Sequence, residues 1–276
     1  MNGGMLFLFS SVCIPFSVYF AVPIMTRLSA AIITFNEELN LRRCLLSLQK
    51  VADEIVVVDS LSADATTAIA AEFGAKVVSQ PFLGYIEQKN FALSQCSNNW
   101  VLSLDADEAL TDELANSILA VKSNTNADAY TMSRLTSYCG QWIKHGGWYP
   151  DRKVRLFDRT KAQWAGINPH DKIELKSGAK CGSLKGDILH YTYNDLGEHI
   201  RQADKFSTII AGDLFHRGKK TSLLKIVFKP CIRFIRDYIF KSGWMDGYYG
   251  LVIAKISAHA VFLREIRLKE HHDKKS

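Results

Sequence analysis

Residues 100–108, Trp100-Val-Leu-Ser-Leu-Asp-Ala-Asp-Glu108, decide the fold, because an apolar run that can be a buried strand ends abruptly in carboxylates two residues apart. In extended backbone Asp105 and Asp107 project to the same side, so their oxygens can converge on one hard cation while Ala106 leaves room for a ligand. Asp-x-Asp strings also arise as solvated turns or helix starts, and Glu108, Thr111, Asp112 and Glu113 can open a helix here. Position favours a site, since this strand closes an alternating series.

That series begins with Ser29-Ala-Ala-Ile-Ile-Thr34, a strand of small and branched residues followed by the loop Asn36-Glu-Glu38. Leu41, Cys44, Leu45 and Leu48 then recur at helical spacing. Glu54-Ile-Val-Val-Val-Asp59 is a second, near-continuous apolar strand, as expected where both faces of a parallel sheet are covered. Ser60-Leu-Ser-Ala-Asp64 leads into a helix stopping near Gly74, and Ala75-Lys-Val-Val-Ser79 makes a third strand. A helix through Ile86, Asn90 and Leu93 precedes the strand that carries Asp105. This βαβαβαβ order predicts an α/β domain with a mostly parallel sheet and helices on both faces. Ligands belong at the carboxyl ends of its strands, where Asn36, Asp59 and Asp105 fall.

The usual phosphate cradles are missing: no G-x-G-x-x-G follows the first strand and no G-x-x-x-x-G-K-[ST] occurs. That argues against a dinucleotide dehydrogenase or a P-loop enzyme. A nucleotide bound here needs its phosphates neutralised mainly by a cation that carboxylates hold, and a diphosphate leaving group needs that charge as its bond breaks.

Ala31-Ile-Ile-Thr-Phe-Asn-Glu-Glu38, Val58-Asp-Ser-Leu-Ser-Ala-Asp-Ala-Thr66, Gln88-Lys-Asn90 and Leu104-Asp-Ala-Asp-Glu108 resemble the successive signatures of family 2 inverting glycosyltransferases, which have the Rossmann-like GT-A fold. Trp148-Tyr-Pro-Asp151, Arg155-Leu-Phe157, Gly166 to Asp171 and Gly243-Trp-Met-Asp-Gly247 extend the resemblance towards lipopolysaccharide inner-core β-1,4-glucosyltransferases. The resemblance implies a UDP-hexose donor, with UDP-glucose favoured, a divalent Mg2+ or Mn2+, and a lipid-linked oligosaccharide acceptor presenting a heptose.

Carried over by residue, it implies that Asp59 reads the base or ribose, that Asp105 contacts the ribose or sugar, that Lys89 lies near the donor, and that Asn36 and Glu37 touch the nucleotide. Asp107 is implied as a metal ligand; His170 and His190 can complete its shell or hydrogen-bond the donor phosphates, with a satisfied loop polar as the plainer role of either. Trp148, Tyr149, Arg155 and His170 are assigned to the acceptor. The general base is expected in the second half of the chain: Asp171, in Gly166-Ile-Asn-Pro-His-Asp171, is the choice, with Asp151 as its rival. Plainer roles compete: a capping carboxylate for Asp59, an exposed helix lysine for Lys89, loop polars for Asn36 and Glu37, and core aromatics for Trp148 and Tyr149. Transfer of another sugar to a different cell-envelope glycan, or a metal-dependent nucleotidyltransferase, are the alternative activities. A non-catalytic polysaccharide- or membrane-binding protein is the alternative outside enzymes.

Charge divides the 276 residues: 1–150 hold nine Lys and Arg against fourteen Asp and Glu, and 151–276 hold twenty-five against fourteen. The acidic half suits a cation-dependent donor site, and the basic half suits an anionic acceptor or membrane surface. Lys225, Lys229, Arg233, Arg236 and Lys241, interleaved with apolar and aromatic residues, predict a basic amphipathic helical appendage over 216–276, following a catalytic region over 27–215. Such helices can lie in an anionic interface or pack on the domain with a solvated basic face. Zinc-finger, helix-turn-helix and RNP patterns are absent, which argues against nucleic acid.

Residues 1–26 carry no charged side chain, and Met5 to Met25 are mostly apolar. They read as a signal peptide, a signal anchor, or an extension before a true start at Met25, the last being favoured. The six scattered cysteines lack a C-x-x-C pair and suit reduced thiols in a protein at the cytosolic face of the inner membrane.

Overall fold

The computed structural model describes residue 1, residues 26–167 and residues 170–274. The apolar leader before residue 26, Asn168, Pro169 and the side chain of His170 lie outside the described residues, and with them the leader readings and the roles of His170.

Four strands built from small and β-branched residues pair in parallel: β1 (Leu28–Thr34), β2 (Glu54–Asp59), β3 (Lys76–Ser79) and β4 (Trp100–Asp105), in the spatial order β3-β2-β1-β4. Alternate residues serve opposite faces. Ala30, Ile32, Val57, Leu102 and Leu104 pack with Leu41, Leu45 and Leu48 of α1 (Leu41–Leu48), Ile69 of α2 (Thr66–Glu72) and Leu114 and Ile118 of α4 (Asp112–Ser123). Ala31, Val56, Val58 and Val101 pack with Ala92 and Leu93 of α3 (Tyr85–Gln95). Each fully buried leucine of α1 stabilises the fold by roughly 1.5–3 kcal/mol, so the apolar stripe rather than intrinsic propensity holds this short helix in place. Gly74, with φ at +68°, reverses the chain between α2 and β3.

Beyond β4 the sheet changes character. β8 (Asp151–Asp158) lies antiparallel between β4 and β6 (Ala129–Tyr138); β11 (Cys181–Tyr193) runs parallel to β6, and β5 (Glu108–Leu110) closes the edge antiparallel to β11. With β7 (Gln141–Ile143) hairpinned onto β6, the sheet has nine strands among the described residues. The α/β class and the helices on both faces are as expected, but the sheet is mixed rather than mostly parallel. The chain between β6 and β8 holds no helix to make a parallel crossover, so these strands pair antiparallel.

A two-stranded ribbon of β9 (Ala162–Ile167) and β10 (His170–Leu175) folds over α3. Asn90 pins it, its side-chain amide donating to Trp164 O at 2.9 Å and its carbonyl accepting from Trp164 N at 3.1 Å.

The remainder is helical: α5 (Leu196–His216), then α6 (Leu223–Ile235) continuing as a π-helical turn over Arg236–Phe240, a 3-10 turn over Gly243–Asp246, and α7 (Gly247–Asp273). Arg267 of α7 reaches Asp204 of α5 at 2.5 Å. A Cβ on Gly250 would stand 1.8 Å from the Gly243 carbonyl oxygen, so backbone packs on backbone there. The buried Asp246 carboxylate accepts from the backbone N–H groups of Lys144 (3.2 Å) and His145 (2.8 Å) and meets His145 Nδ1 at 2.9 Å, tying the helices to the loop after β7. The expected basic face is partly neutralised: Lys229 pairs with Glu265 at 2.9 Å, and Arg233 and Arg236 both pair with Asp237.

Candidate active site

The extended geometry expected for Asp105-Ala-Asp107 ends at Asp105. The chain turns at Ala106 and Asp107 before re-entering the sheet as β5, and Tyr191 N donates to Asp107 O at 2.9 Å to seat the turn against β11. The two aspartates therefore take different partners. Asp107 Oδ2 lies 3.1 Å from His190 Nε2, whereas Asp105 faces Lys89 at 2.9 Å and Arg155 at 3.1 Å. Helix α4 starts at Asp112, with Thr111 as its cap, accepting from Leu114 N at 3.2 Å. Glu108 opens β5 instead of the helix and is fully buried.

A chain of alternating charges runs from this turn in both directions. Lys89 Nζ bridges Asp105 and Asp171, each at 2.9 Å, and sits 4.3 Å from the centroid of the Trp164 ring. Arg155 Nη2 bridges Asp105 and Glu108, each at 3.1 Å. Arg134 joins Glu108 at 3.3 Å to Asp151 at 2.8 Å, and Lys153 caps Asp151 at 3.1 Å. Burial alone would raise the pKa values of these carboxyls. For Asp105 the Lys89 and Arg155 cations outweigh it and hold the group far below the ordinary carboxylate range. The Arg155 guanidinium likewise lowers the pKa of Glu108 against its burial, as Arg134 and Lys153 lower that of Asp151. Buried charges persist because each has an opposite partner within hydrogen-bond reach.

Two cavities meet at Lys89, Asp105 and Asp171. The larger, about 770 Å3, is also lined by Glu37, Ser60, Phe82, Tyr85, Asp107 and His190, with Gln202 and Phe206 of α5. The second, about 510 Å3, is lined by Arg134, Arg152, Lys153, Arg155, Trp164 and Lys172 besides the shared three. The carboxyl edge of the parallel strands thus opens on a cleft, as the strand order predicts. Glu37 lies partly buried there, and burial raises its pKa; Asn40 lowers it through a 2.9 Å hydrogen bond, and the nearby Asp107 raises it again.

Other expected residues stand elsewhere. Asp59 is 1% exposed beneath the cleft, with its oxygens accepting from Ser62 N (2.9 Å) and Ser62 Oγ (2.5 Å). Asn36 joins the same knot, donating its backbone N–H to Ser62 Oγ at 2.8 Å and accepting from Ala63 N at 2.9 Å. Asp151 lines a separate cavity of about 270 Å3 with Trp148, Gly147 and His190. Trp148 packs on Tyr138, Tyr193 and His199, and Tyr149 donates its hydroxyl to Asp187 at 3.1 Å, outside the main cleft. Arg155, assigned to the acceptor, spends its charge on Asp105 and Glu108 and is 4% exposed. The sequence reading missed Glu108 and Arg134 as links in the charge chain, and Gln202 and Phe206 as cleft walls. Their one-turn spacing on α5 is the only signal those two carry.

The model for "Glycosyl transferase family 2" matches residues 29–185, from β1 through the start of β11. The chain belongs to glycosyl transferase family 2. An uncharacterized glycosyltransferase of Rickettsia typhi is 35% identical, covering 89% of this chain and 88% of that protein. The lipopolysaccharide core biosynthesis glycosyltransferase LpsC of Rhizobium meliloti is 32% identical, covering 89% and 93%. The mannosyltransferase PcManGT of Pyrobaculum calidifontis, solved with GDP-Man and Mn2+, is a distant likeness, 16% identical with a TM-score of 0.47 over 91% of this chain and 76% of that one. The family 2 chain is thus a glycosyltransferase.

Proposed function

We propose that this glycosyltransferase is an inverting, divalent-metal-dependent hexosyltransferase that moves glucose from UDP-glucose to a heptose of the lipopolysaccharide inner core. One observation carries the reading: Asp107, His190 and Asp171 line a single cleft at the carboxyl edge of the sheet. The name of LpsC supports the acceptor class.

Asp107 and His190 fit a divalent cation, with a carboxylate oxygen and an imidazole nitrogen 3.1 Å apart beside the cleft. Among the described residues no group of three or more His, Cys, Asp and Glu is placed to hold a metal alone. That suits Mg2+ or Mn2+, which commonly take one or two protein ligands and complete their shell with water and phosphate oxygens. A cation held by Asp107 and His190 would supply positive charge against the departing diphosphate. Asp171 takes the proton of the acceptor hydroxyl as its oxygen attacks the anomeric carbon and the bond to the diphosphate breaks. Lys89 fixes the Asp171 carboxylate towards the cleft, and Asp105, held by Lys89 and Arg155, contacts the donor sugar or ribose. Glu37 belongs to the nucleotide side, and Asn36 and Asp59 shape that side through Ser62.

The catalytic region over 27–215 is held to the membrane by the region over 216–276. Supporting this, Leu223, Leu224, Val227, Phe228, Ile232, Ile239, Phe240, Trp244 and Tyr248 are exposed large apolar residues gathered in consecutive elements, Phe240 at 80%. Among the described residues no helix is long and apolar enough to cross a membrane, so the attachment proposed is peripheral, at the cytosolic face of the inner membrane.

The experiment is a screen of UDP- and ADP-sugars against truncated core lipopolysaccharide, with and without EDTA, reading nucleoside diphosphate release and product. Transfer from UDP-glucose that EDTA abolishes is expected. Absence of nucleoside diphosphate release with every donor, or pyrophosphate release from a nucleoside triphosphate, overturns the reading. Flotation on anionic and neutral liposomes tests the membrane claim, and equal failure to bind both removes it.

A further inference from the structure

The cavity of about 510 Å3 beyond Lys89 is walled by six cations, Lys89, Arg134, Arg152, Lys153, Arg155 and Lys172, and by only two carboxylates, Asp105 and Asp171. Glu108, Asp151 and Glu174 offset some of that charge through ion pairs, but none of them lines the cavity. Arg152 has no carboxylate partner among the described residues and donates only to the Ser183 hydroxyl at 3.2 Å. Two buried donors of the wall, Arg155 Nε and Trp164 Nε1, have no hydrogen-bond partner among the described residues, and an unpaired N–H in a low-dielectric wall adds to the positive potential inside. The cavity meets the larger cleft at Asp171, the proposed base.

We propose that this basic chamber is an acceptor subsite for an oxyanion substituent, a phosphate or a carboxylate, which seats the neighbouring hydroxyl at Asp171. The inference rests on the transferase reading of the same site and adds the charge class of its acceptor. Arg152 and Lys172 are the recognition residues: Lys172 follows Asp171 on β10, and Arg152 follows Asp151 on β8. A guanidinium fork and an ammonium together suit a tetrahedral or planar oxyanion. Lys89 and Arg155, held by their own carboxylates, set the field without needing to leave them.

The test uses the full chain and the double variant R152Q/K172Q. Calorimetric titration with inorganic phosphate, in saturating UDP and Mn2+ so that the nucleotide side is filled, should show affinity at least about tenfold weaker in the variant. Equal phosphate affinity in the two proteins overturns the subsite, whatever the substrate proves to be, which separates its failure from that of the transferase reading. With truncated core lipopolysaccharide, the acceptor KM should rise about tenfold in the variant. Repeating this on acceptor dephosphorylated with hydrofluoric acid separates the sources. If dephosphorylation alone raises the wild-type KM as far as the variant's, the substituent is phosphate. If the variant's handicap persists on dephosphorylated acceptor, it is a carboxylate. An unchanged KM in the variant on both acceptors overturns the proposal.

Discussion

Lys89 Nζ lies 2.9 Å from Asp171 Oδ2, joining a helix beneath the sheet edge to the ribbon that folds over it. The same nitrogen holds Asp105 at 2.9 Å, so one ammonium orients both the proposed base and a carboxylate of the donor side. Packing of the Trp164 ring against Lys89 removes water that would otherwise weaken both contacts.

Asp171→Asn should lower kcat by about 10²–10⁴ while calorimetry shows UDP-sugar affinity retained, the range that loss of a general base gives. Asp151→Asn should cost far less, since Arg134 and Lys153 already occupy that carboxylate and it lies in a separate cavity. If the two effects are reversed in steady-state assays, the base is Asp151.

Lys89→Met leaves Asp171 without its ion-pair partner and Asp105 with Arg155 alone. Breaking a buried pair in this way typically costs about 3–5 kcal/mol, read from the urea midpoint at constant m-value. A double cycle with Asp171→Asn should recover part of that loss. Strict additivity would separate the two residues energetically.

Asp107→Asn should weaken Mn2+ binding about 10–100-fold in the presence of UDP, measured by the paramagnetic resonance signal of free Mn2+. His190→Ala should act in the same direction. Unchanged binding in both variants would remove the pair from the metal site.

His199 is buried against Tyr138, with its Nδ1 3.0 Å from the tyrosine hydroxyl, and burial pushes its pKa down to about 4. The unfolded chain then binds the proton more readily between about pH 6.5 and 4, so stability is intact above pH 6.5 and falls as pH drops through that window. The loss is on the order of 2–3 kcal/mol from this residue. His199→Gln should flatten the corresponding part of the Tm–pH profile; an identical slope in wild type and variant would assign the acid sensitivity elsewhere.

Gly250→Ala forces a methyl group into the Gly243 carbonyl, and backbone cannot yield as a side-chain tip can. Overpacking of this kind costs about 1–3 kcal/mol and should appear as a lowered Tm. Gly212→Ala, in open space on α5, should leave Tm unchanged or slightly raised.

The parallel half of the fold was legible because its signals are local. Leu41, Cys44, Leu45 and Leu48 are all buried on one face of α1, and the Val56–Val58 run feeds both cores of the sheet. The antiparallel half was not, because β8 enters between β4 and β6 by a pairing that no short-range pattern encodes. Asp107, implied as a metal ligand by the family resemblance, and His190, offered separately for the same shell, lie 3.1 Å apart. Glu108 was given no role of its own, and its acid beside Thr111 equally suits a helix start; only the long-range approach of Arg155 and Arg134 makes it the centre of a charge chain. Trp148 and Tyr149 were expected to face a sugar, but aromatic side chains carry no label distinguishing a stacking platform from a core. Here Trp148 packs on Tyr138, Tyr193 and His199 and also lines a cavity with Asp151 and His190, while Asp187 holds Tyr149.

The backbone contact between Gly243 and Gly250 seats the 3-10 turn on α7, and Asp246 beside it grips the loop after β7, so the carboxyl-terminal helices are tied directly to the sheet. Were the exposed apolar side chains of α6 to settle on a surface, its tilt would reach the sheet through this tie. On the proposed membrane attachment, the lie of these helices would then set how the cleft is aimed at its acceptor.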